Sequence, residues 1–268
     1  MCPTTTSSSR VPRNLPELHE LSAPAAWRRI DFLSDLHLSP DTPATLAALE
    51  AHLQETAAEA VFLLGDIFEV WVGDDARFDP FEAQCVAMLR AASERLSLFF
   101  MAGNRDFLLG EAMAADCGMT LLPDPTVLDA FGQRWLLTHG DALCLEDTQY
   151  QAFRAQVRSP EWQAALLAKP LAERREIGRQ MRAASQARGK TMELWADLDT
   201  ETSKDWLRAA GAVAMIHGHT HRPAVNELGD GFRRYVLSDW DLEAAPPRAD
   251  ILRLRHAGLR RIDLCSVG

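Results

Sequence analysis

Five short apolar runs, each followed by polar residues, constrain the fold of this chain more than any other feature. They are RIDFLSDLHL, AVFLLGDIFEVW, LSLFFMAGNRDF, RWLLTHGD and AVAMIHGHTH, at residues 29–38, 60–71, 96–107, 134–141 and 212–221. Short apolar runs bounded by glycine and polar residues are typical of strands that are covered on both faces. The pattern therefore predicts a buried sheet with polar clusters at the ends of its strands.

Helical patterns separate the first three runs, which predicts that their strands pair in parallel. TPATLAALEAHLQETAA and DPFEAQCVAMLRAASERL carry apolar residues at helical spacing, and Asp41, Thr42 and Pro43 suit the start of the first helix. Alternating strands and helices are typical of an α/β fold, whose ligands lie beyond the carboxyl ends of the strands. The patterns FRRYVLSDW and ADILRLRHAG further along predict a second sheet packed on the first.

The strand pattern stops between residues 142 and 210, where helical character is interrupted by Pro160 and Pro170. We expect this segment to be a helical lid inserted between two parts of the core, at residues 29–141 and 211–268. Residues 1–28 are rich in serine, threonine and proline, so we expect a flexible extension and assign it no function.

Composition excludes several classes of function. The chain has 268 residues, no run of eighteen apolar residues and a net charge of -10, which argues against a transmembrane helix and against general binding to nucleic acid. Its five cysteines are scattered and never spaced as C-x-x-C, which suits a reducing cytoplasm better than a disulfide framework or structural zinc. Residues 151–190 differ from the rest, with nine Arg or Lys against three Glu.

The polar clusters combine into a candidate metal site. Each has an ordinary explanation on its own, since Gly-Asp marks turns and a lone histidine is more often a hydrogen-bonded structural residue. Together, however, five strand ends deliver residues that can bind metal to one place. The candidates are Asp35, His37, Asp66, Asn104, His139, His217 and His219.

Carboxylate, amide oxygen and imidazole without thiolate suit Mn, Fe or Zn, and seven ligands are too many for one ion. Two ions fit if Asp66 bridges them. Such a pair, about 3.5 to 4 Å apart, promotes hydrolysis of a phosphate ester or anhydride. Arg105 stands next to the candidate ligand Asn104 and offers paired donors to phosphate oxygens, although an exposed ion pair is the alternative explanation.

In their order, DLHL, GDIFE, GNRDF, HGD and HGHTHRP resemble the motifs of the calcineurin-like metallophosphoesterases, over roughly residues 29–240. LGDIFEVWVGDD, GNRDFLLG, GMTLLP, LCLEDTQYQAFR and MRAAS are similar to the branch of that superfamily that hydrolyses UDP-2,3-diacylglucosamine in lipid A biosynthesis of Gram-negative bacteria. The resemblance implies an α/β fold, a sandwich of two mixed sheets between helical layers, with the helical insertion capping the active site.

The resemblance also implies two Mn²⁺ ions and assigns their ligands. One ion would be held by Asp35, His37, Asp66 and His219. The other would be held by Asp66, Asn104, His139 and His217. His221 is left outside the ligand set, either as a residue that supports the ligands or as a structural residue. Metal-bound hydroxide would attack the alpha phosphorus and release UMP and 2,3-diacylglucosamine 1-phosphate. The catalytic residues implied are Asp66, Asn104, Arg105, His139 and His217.

Substrate contacts carry over to the insertion as well as the core. They fall on Asn104, Arg105, Asp147, Ser185 and His217. Lys190 is added as a plausible contact, although the chain departs from the family pattern at Gly189. Two acyl chains need an apolar tunnel, which we expect from Tyr150, Phe153, Val157, Trp162, Leu166, Leu167, Ile177 and Met181. An ordinary packed helical pair would give the same pattern.

The predicted partners are a lipid-linked UDP-sugar and the cytoplasmic face of the inner membrane, to which the enzyme would bind peripherally. Arg174, Arg175 and Arg179 are candidates for binding anionic headgroups, with a solvated basic helix face as the alternative. No nucleic acid and no obligate protein partner are expected. A soluble nucleotide diphosphate or phosphodiester is the alternative substrate, and a non-catalytic scaffold is the alternative from another functional class.

Overall fold

The computed structural model describes residues 15–191 and 197–265, with only the backbone described from 186 to 191. These residues contain twelve strands: β1 (His19–Ser22), β2 (Arg29–Leu33), β3 (Ala60–Leu64), β4 (Ser97–Met101), β5 (Met119–Leu122), β6 (Thr126–Ala130), β7 (Gln133–Leu137), β8 (Ala214–His217), β9 (Ala224–Gly229), β10 (Phe232–Val236), β11 (Asp250–Arg255) and β12 (Gly258–Asp263). Each of the five apolar runs therefore contains one strand.

Seven α-helices lie among these strands in the described residues: α1 (Pro43–Glu55), α2 (Pro80–Ser93), α3 (Glu111–Cys117), α4 (Thr148–Val157), α5 (Pro160–Leu167), α6 (Leu171–Thr191) and α7 (Thr200–Ala210). The predicted start of the first helix is confirmed, because Thr42 is the N-cap of α1 and Pro43 occupies the first turn. No helix in the described part of the chain is both long enough and apolar enough to cross a membrane.

The first sheet has the strand order β12-β11-β2-β3-β4-β5. Parallel pairing joins β2 to β3 and β3 to β4, as the helices between them predicted. The strand β11 runs antiparallel to β2 and thereby adds β11 and β12 to this sheet. The Arg253 guanidinium on β11 donates to both carboxylate oxygens of Asp31 on β2, at 2.6 and 2.7 Å.

The second sheet has the order β1-β6-β7-β8-β10-β9, in which β7, β8 and β10 are parallel neighbours. The prediction of a second sheet is confirmed, but its composition was only partly right. FRRYVLSDW supplies β10 to this sheet, whereas ADILRLRHAG supplies β11 to the first one. The assignment of β11 depends on the buried Asp31, 222 residues away from its partner Arg253, and local alternation does not reveal such a contact.

Three hydrophobic clusters define four layers. Phe32, Phe62, Leu137 and Ile216 belong to the cluster between the two sheets. The helices α1, α2 and α3 cover the outer face of the first sheet, and α7 packs on the outer face of the second, where Trp206 and Leu207 meet Met215. The predicted α/β sandwich of two mixed sheets between helical layers is confirmed. The boundaries proposed for the extension, core and lid remain predictions.

The carboxyl ends of the five strands meet across the two sheets. The amide of Asp35, after β2, donates to the carbonyl of Gly65, after β3, at 3.0 Å. The amide of Gly218, after β8, donates to the carbonyl of His139, after β7, at 3.1 Å. The loops that carry the polar clusters are thus held against one another by backbone hydrogen bonds, three strands coming from one sheet and two from the other.

Candidate metal centre

Left-handed backbone conformations concentrate at this meeting point. Positive φ occurs at seven non-glycine residues of the described chain, and five of the seven are Asp35, His37, Asp66, His219 and His221. Such conformations cost about 1–3 kcal/mol each and persist where the surroundings enforce them. Two glycines provide the space that these aspartate side chains need. A Cβ at Gly103 would lie 2.2 Å from Oδ1 of Asp66, and one at Gly218 would lie 2.3 Å from Oδ2 of Asp35.

Asp35, His37 and His221 form the first group of converging ligand atoms. Nε2 of His221 lies 3.2 Å from Oδ1 of Asp35 and 3.3 Å from Nε2 of His37. Nδ1 of His37 faces the Glu69 carboxylate at 3.5 Å, which favours a proton on Nδ1 and leaves the Nε2 lone pair free. Lone pairs that converge in this way repel one another unless a proton or a cation lies between them.

A second group lies beside the first and contains Asp35, Asp66 and His139. Nδ1 of the His139 ring lies 2.9 Å from the carbonyl of Leu64 and donates there, so Nε2 is the nitrogen that would bind a cation in place of its proton. That Nε2 lies 3.0 Å from Oδ1 of Asn104 and 3.7 Å from Oδ1 of Asp66.

His219 completes the second group, because its Nδ1 lies 2.8 Å from the same Asn104 oxygen. The aromatic ring of Tyr150, from α4, stacks on the imidazole with 5.9 Å between centroids. Asp35 contributes to both groups, and Asp66 lies beside it in the second.

The electrostatics of the centre favour a cation. Burial lowers the pKa of His139, but the carboxylates of Asp66, Asp35 and Asp141 outweigh burial and raise that pKa to about 9. Burial and His139 together lower the pKa of His219 to about 3, so this imidazole is neutral and able to ligate. A divalent ion among the same carboxylates would take the place of the proton that they otherwise hold on His139.

These donors fit the two-metal site expected from the sequence. The set consists of carboxylate, amide oxygen and imidazole, which suits divalent ions such as Mn²⁺. The geometry gives two groups of possible ligands that share the Asp35 carboxylate. One contains Asp35, His37 and His221. The other contains Asp35, Asp66 and His139, with Asn104 beside His139 and His219 beside Asn104.

The structure does not bring His217 together with the other predicted ligands. This residue ends β8 and lies two positions after Met215, so its side chain points to the face that packs against α7. Its ring is fully buried, and burial together with Arg234 lowers its pKa to about 4. His221 occupies the place predicted for His219, next to Asp35 and His37, and His219 occupies the place predicted for His217.

Arg105 lies at the centre as predicted. Its Nε is 3.4 Å from Oδ2 of Asp66, and its NH1 is 3.6 Å from Oε2 of Glu69. Sequence reasoning missed a second guanidinium, that of Arg182 in α6, whose Nε is hydrogen-bonded to Glu69. Both arginines stand beside the groups of possible ligands and could bind phosphate oxygens.

A second missed residue holds the ligand loops together. Asp106 is fully buried and accepts hydrogen bonds from the amides of Gly103, Asp66 and Ile67, at 2.7, 3.2 and 2.7 Å. These bonds fix the loop after β3 against the loop after β4. The motif GNRDF contained the signal, since an aspartate two positions after Asn104 is suited to accept the amides of a tight turn.

An apolar chamber opens beside the centre. Its polar end contains Asn104, Arg105, Arg182 and Ser185. Of the eight residues predicted to line an acyl tunnel, six line this chamber: Tyr150, Phe153, Trp162, Leu166, Ile177 and Met181. Val157 is instead buried, and Leu167 is 44% exposed.

The remaining predicted substrate contacts differ in position. Ser185 lines the chamber, whereas Asp147 is the N-cap of α4 and accepts from the amide of Tyr150 at 2.9 Å. The side chain of Lys190 lies outside the described residues, as does any detail at Gly189.

The arginines predicted to bind lipid headgroups are paired with carboxylates of the chain. Arg174 has only 3% of its side chain exposed and pairs with Asp75. Arg175 pairs with Asp79, and Arg179 pairs with Glu176 on its own helix. The positive charges of these three arginines are therefore used in ion pairs with carboxylates of the chain. This argues against the three residues as the membrane contact.

The chain belongs to the calcineurin-like phosphoesterase family, whose model matches residues 28–223. The UDP-2,3-diacylglucosamine hydrolase of Chromobacterium violaceum is 45% identical over 244 residues, covering 88% of this chain and 98% of the relative. The enzyme of that name from Bordetella pertussis is 45% identical, covering 86% of this chain and 93% of its own. Among solved structures, an E. coli phosphoesterase, Yfce, is 18% identical and covers 88% of this chain and 93% of its own, with a TM-score of 0.44.

Proposed function

We propose that this chain hydrolyses the pyrophosphate bond of UDP-2,3-diacylglucosamine, a step of lipid A biosynthesis. One water is added across the P–O–P bond, and attack on the alpha phosphorus gives UMP and 2,3-diacylglucosamine 1-phosphate. The observation that carries the proposal is the apolar chamber that opens directly beside the ligand groups. The relatives that share 44–45% of their residues with the chain carry the name of this activity.

The proposed cofactor is a pair of Mn²⁺ ions. Asp35, His37, Asp66 and His221 would hold one ion, and Asp66, Asn104, His139 and His219 would hold the other. When bound, the ions would lower the pKa of a water molecule and neutralise charge on the phosphoryl oxygens. The Leu64 carbonyl and the Glu69 carboxylate orient the rings of His139 and His37 for this purpose.

The remaining residues bind and orient the substrate. Arg105 and Arg182 stand at the polar end of the chamber, where their guanidinium groups can donate to the diphosphate. Asn104 and Ser185 line the same end and can donate to the phosphate or the sugar. The apolar wall of the chamber, which includes Phe107 and Met181, holds the acyl chains away from water. The energy gained by binding the acyl chains helps to hold the phosphorus near the centre.

We also propose that the enzyme works on the cytoplasmic face of the inner membrane. A diacylated substrate resides in a bilayer, so the entrance of the chamber has to lie close to the bilayer surface. Val70 lines the chamber and is 40% exposed, and Leu167, 44% exposed, contacts the loop at Gly73 that leads to it. These exposed apolar side chains, rather than the paired arginines, are the proposed contact with lipid.

An assay of UMP release tests the proposal. UDP-2,3-diacylglucosamine is compared with UDP-N-acetylglucosamine, which carries the same diphosphate without two long acyl chains, each with and without Mn²⁺. We expect turnover that depends on Mn²⁺ and a kcat/KM at least 100-fold higher for the diacylated substrate. Equal turnover of both substrates would refute the lipid assignment and favour a soluble nucleotide diphosphate.

A further inference from the structure

A seam of three ion pairs joins the loop after β3 to helix α6. Along this loop, Glu69 pairs with Arg182, Asp75 with Arg174, and Asp79 with Arg175. Two of the pairs lie away from the groups of possible metal ligands. Glu69 differs, because it also lines the chamber beside Arg105 and Arg182.

The backbone holds Glu69 firmly beside the centre. Its amide donates to the carbonyl of Leu38 at 3.0 Å, and the amide of Leu38 donates to the carbonyl of Ile67 at 2.8 Å. The amide of His37 likewise donates to the carbonyl of Asp66, at 3.1 Å. These three bonds extend the pairing of β2 and β3 past their ends, so the core holds the backbone of Glu69, and the carboxylate reaches from there to helix α6.

The two oxygens of Glu69 have separate partners. Oε1 accepts from Nε of Arg182. Oε2 faces Nδ1 of His37 at 3.5 Å and NH1 of Arg105 at 3.6 Å. One carboxylate thus joins a possible metal ligand to both guanidinium groups of the phosphate-binding end.

Charge explains why a carboxylate is needed at this point. Burial lowers the pKa of Arg182, and the positive charge of the nearby Arg105 lowers it further. Two guanidinium groups that repel each other require an anion between them to remain side by side before substrate arrives. Nδ1 of His37 is buried without a hydrogen-bond partner among the described residues, and the Glu69 carboxylate, 3.5 Å away, is placed to accept its proton when a cation binds Nε2.

We propose that Glu69 is a positioning residue of the hydrolase. It orients the His37 ring so that Nε2 faces the cation, and it holds Arg105 and Arg182 as a preformed pair for the substrate diphosphate. The inference rests on the proposed function, since it gives Glu69 a role in binding both the metal and the substrate of that reaction.

Glu69→Gln is the test, because an amide offers one acceptor oxygen where the carboxylate offers two. The substituted side chain therefore cannot serve Arg182 and His37 together, and its NH₂ group meets a donor on one side. The matched control is Asp79→Asn, which neutralises another carboxylate of the same seam away from the chamber. Both variants are compared with the unchanged chain in Mn²⁺ titration calorimetry of metal-free protein and in steady-state UMP release.

For Glu69→Gln we expect Mn²⁺ affinity to fall about 10- to 100-fold, the range for loss of an outer partner of a metal ligand. KM is expected to rise at least fivefold, and Asp79→Asn is expected to stay within twofold on both measures. Glu69→Asp keeps both acceptors on a shorter side chain, so it should recover part of each loss but stay at least about threefold below the unchanged chain in Mn²⁺ affinity. Mn²⁺ affinity and KM within twofold of the control in Glu69→Gln would overturn the inference.

Two further outcomes are distinguishable. If the unchanged chain neither binds Mn²⁺ nor releases UMP, the proposed function fails, whatever the variants show. If Glu69→Gln does not fold, Glu69→Asp carries the test, because its shorter side chain cannot reach His37 and Arg182 equally. An Mn²⁺ affinity within twofold of the unchanged chain in that variant would then overturn the role of Glu69.

Discussion

Replacing His221 and His217 by alanine, one at a time, tests the arrangement of the centre. His221→Ala removes a nitrogen that lies 3.2 Å from Asp35 and 3.3 Å from His37, and so one of four ligands of the proposed first ion. Loss of a partner outside the ligand shell costs about 10- to 100-fold in metal affinity. Loss of a ligand itself should cost at least about 100-fold, or about 2.7 kcal/mol.

His217→Ala should affect stability instead of metal binding. The ring is fully buried at the end of β8, so its removal leaves a cavity. We expect the free energy of unfolding to fall by about 2–4 kcal/mol. At about 2–4 °C per kcal/mol for a chain of this size, the melting temperature should fall by about 5–15 °C. Mn²⁺ affinity should remain within about threefold, because the imidazole faces the layer under α7 and not the groups of possible ligands.

Calorimetric titration with Mn²⁺ and thermal unfolding of the metal-free protein separate the two effects. The metal-free state matters in the second measurement, because bound metal would stabilise the fold by mass action. A large loss of Mn²⁺ affinity in His217→Ala, with little loss in His221→Ala, would refute the arrangement and restore the ligand set expected from the sequence.

Two further predictions concern the core and the chamber. Asp31 is buried, but Arg253, His52 and Thr56 outweigh burial and lower its pKa to about 2. The ionised carboxylate therefore stabilises the fold by roughly 2 kcal/mol above about pH 4, and this stability is lost as the pH falls towards 2. In urea unfolding, Asp31→Asn should be less stable than the unchanged chain at pH 7. The difference in unfolding free energy between the two should shrink near pH 2. Ile177→Trp should fill part of the chamber and lower kcat/KM at least tenfold for long acyl chains but not for short ones, measured as UMP release; an equal loss for both would mean that the wall does not contact the chains.

Sequence alone predicted the features of the fold that depend on local pattern. The strands β2, β3 and β4, with helices between them, had to pair in parallel, because each crossover occupies the outer face of the sheet. The position of β11 depended on a contact between Arg253 and Asp31, which lie far apart in the chain. Glu69 and Arg182 were missed for the same reason, since 113 residues separate them.

The histidines of HGHTHRP show why spacing alone did not indicate which imidazoles lie beside Asp35 and Asn104. Residues two apart share a face only while the chain continues as a strand, and β8 ends at His217. Beyond that point His219 and His221 have φ of 68° and 52°, so the backbone turns and redirects both side chains. His217 keeps the orientation of the strand, towards α7, while the turn directs His219 to Asn104 and His221 to Asp35. A repeat of histidine at every second position therefore identifies ligands only once the last residue of the strand is known.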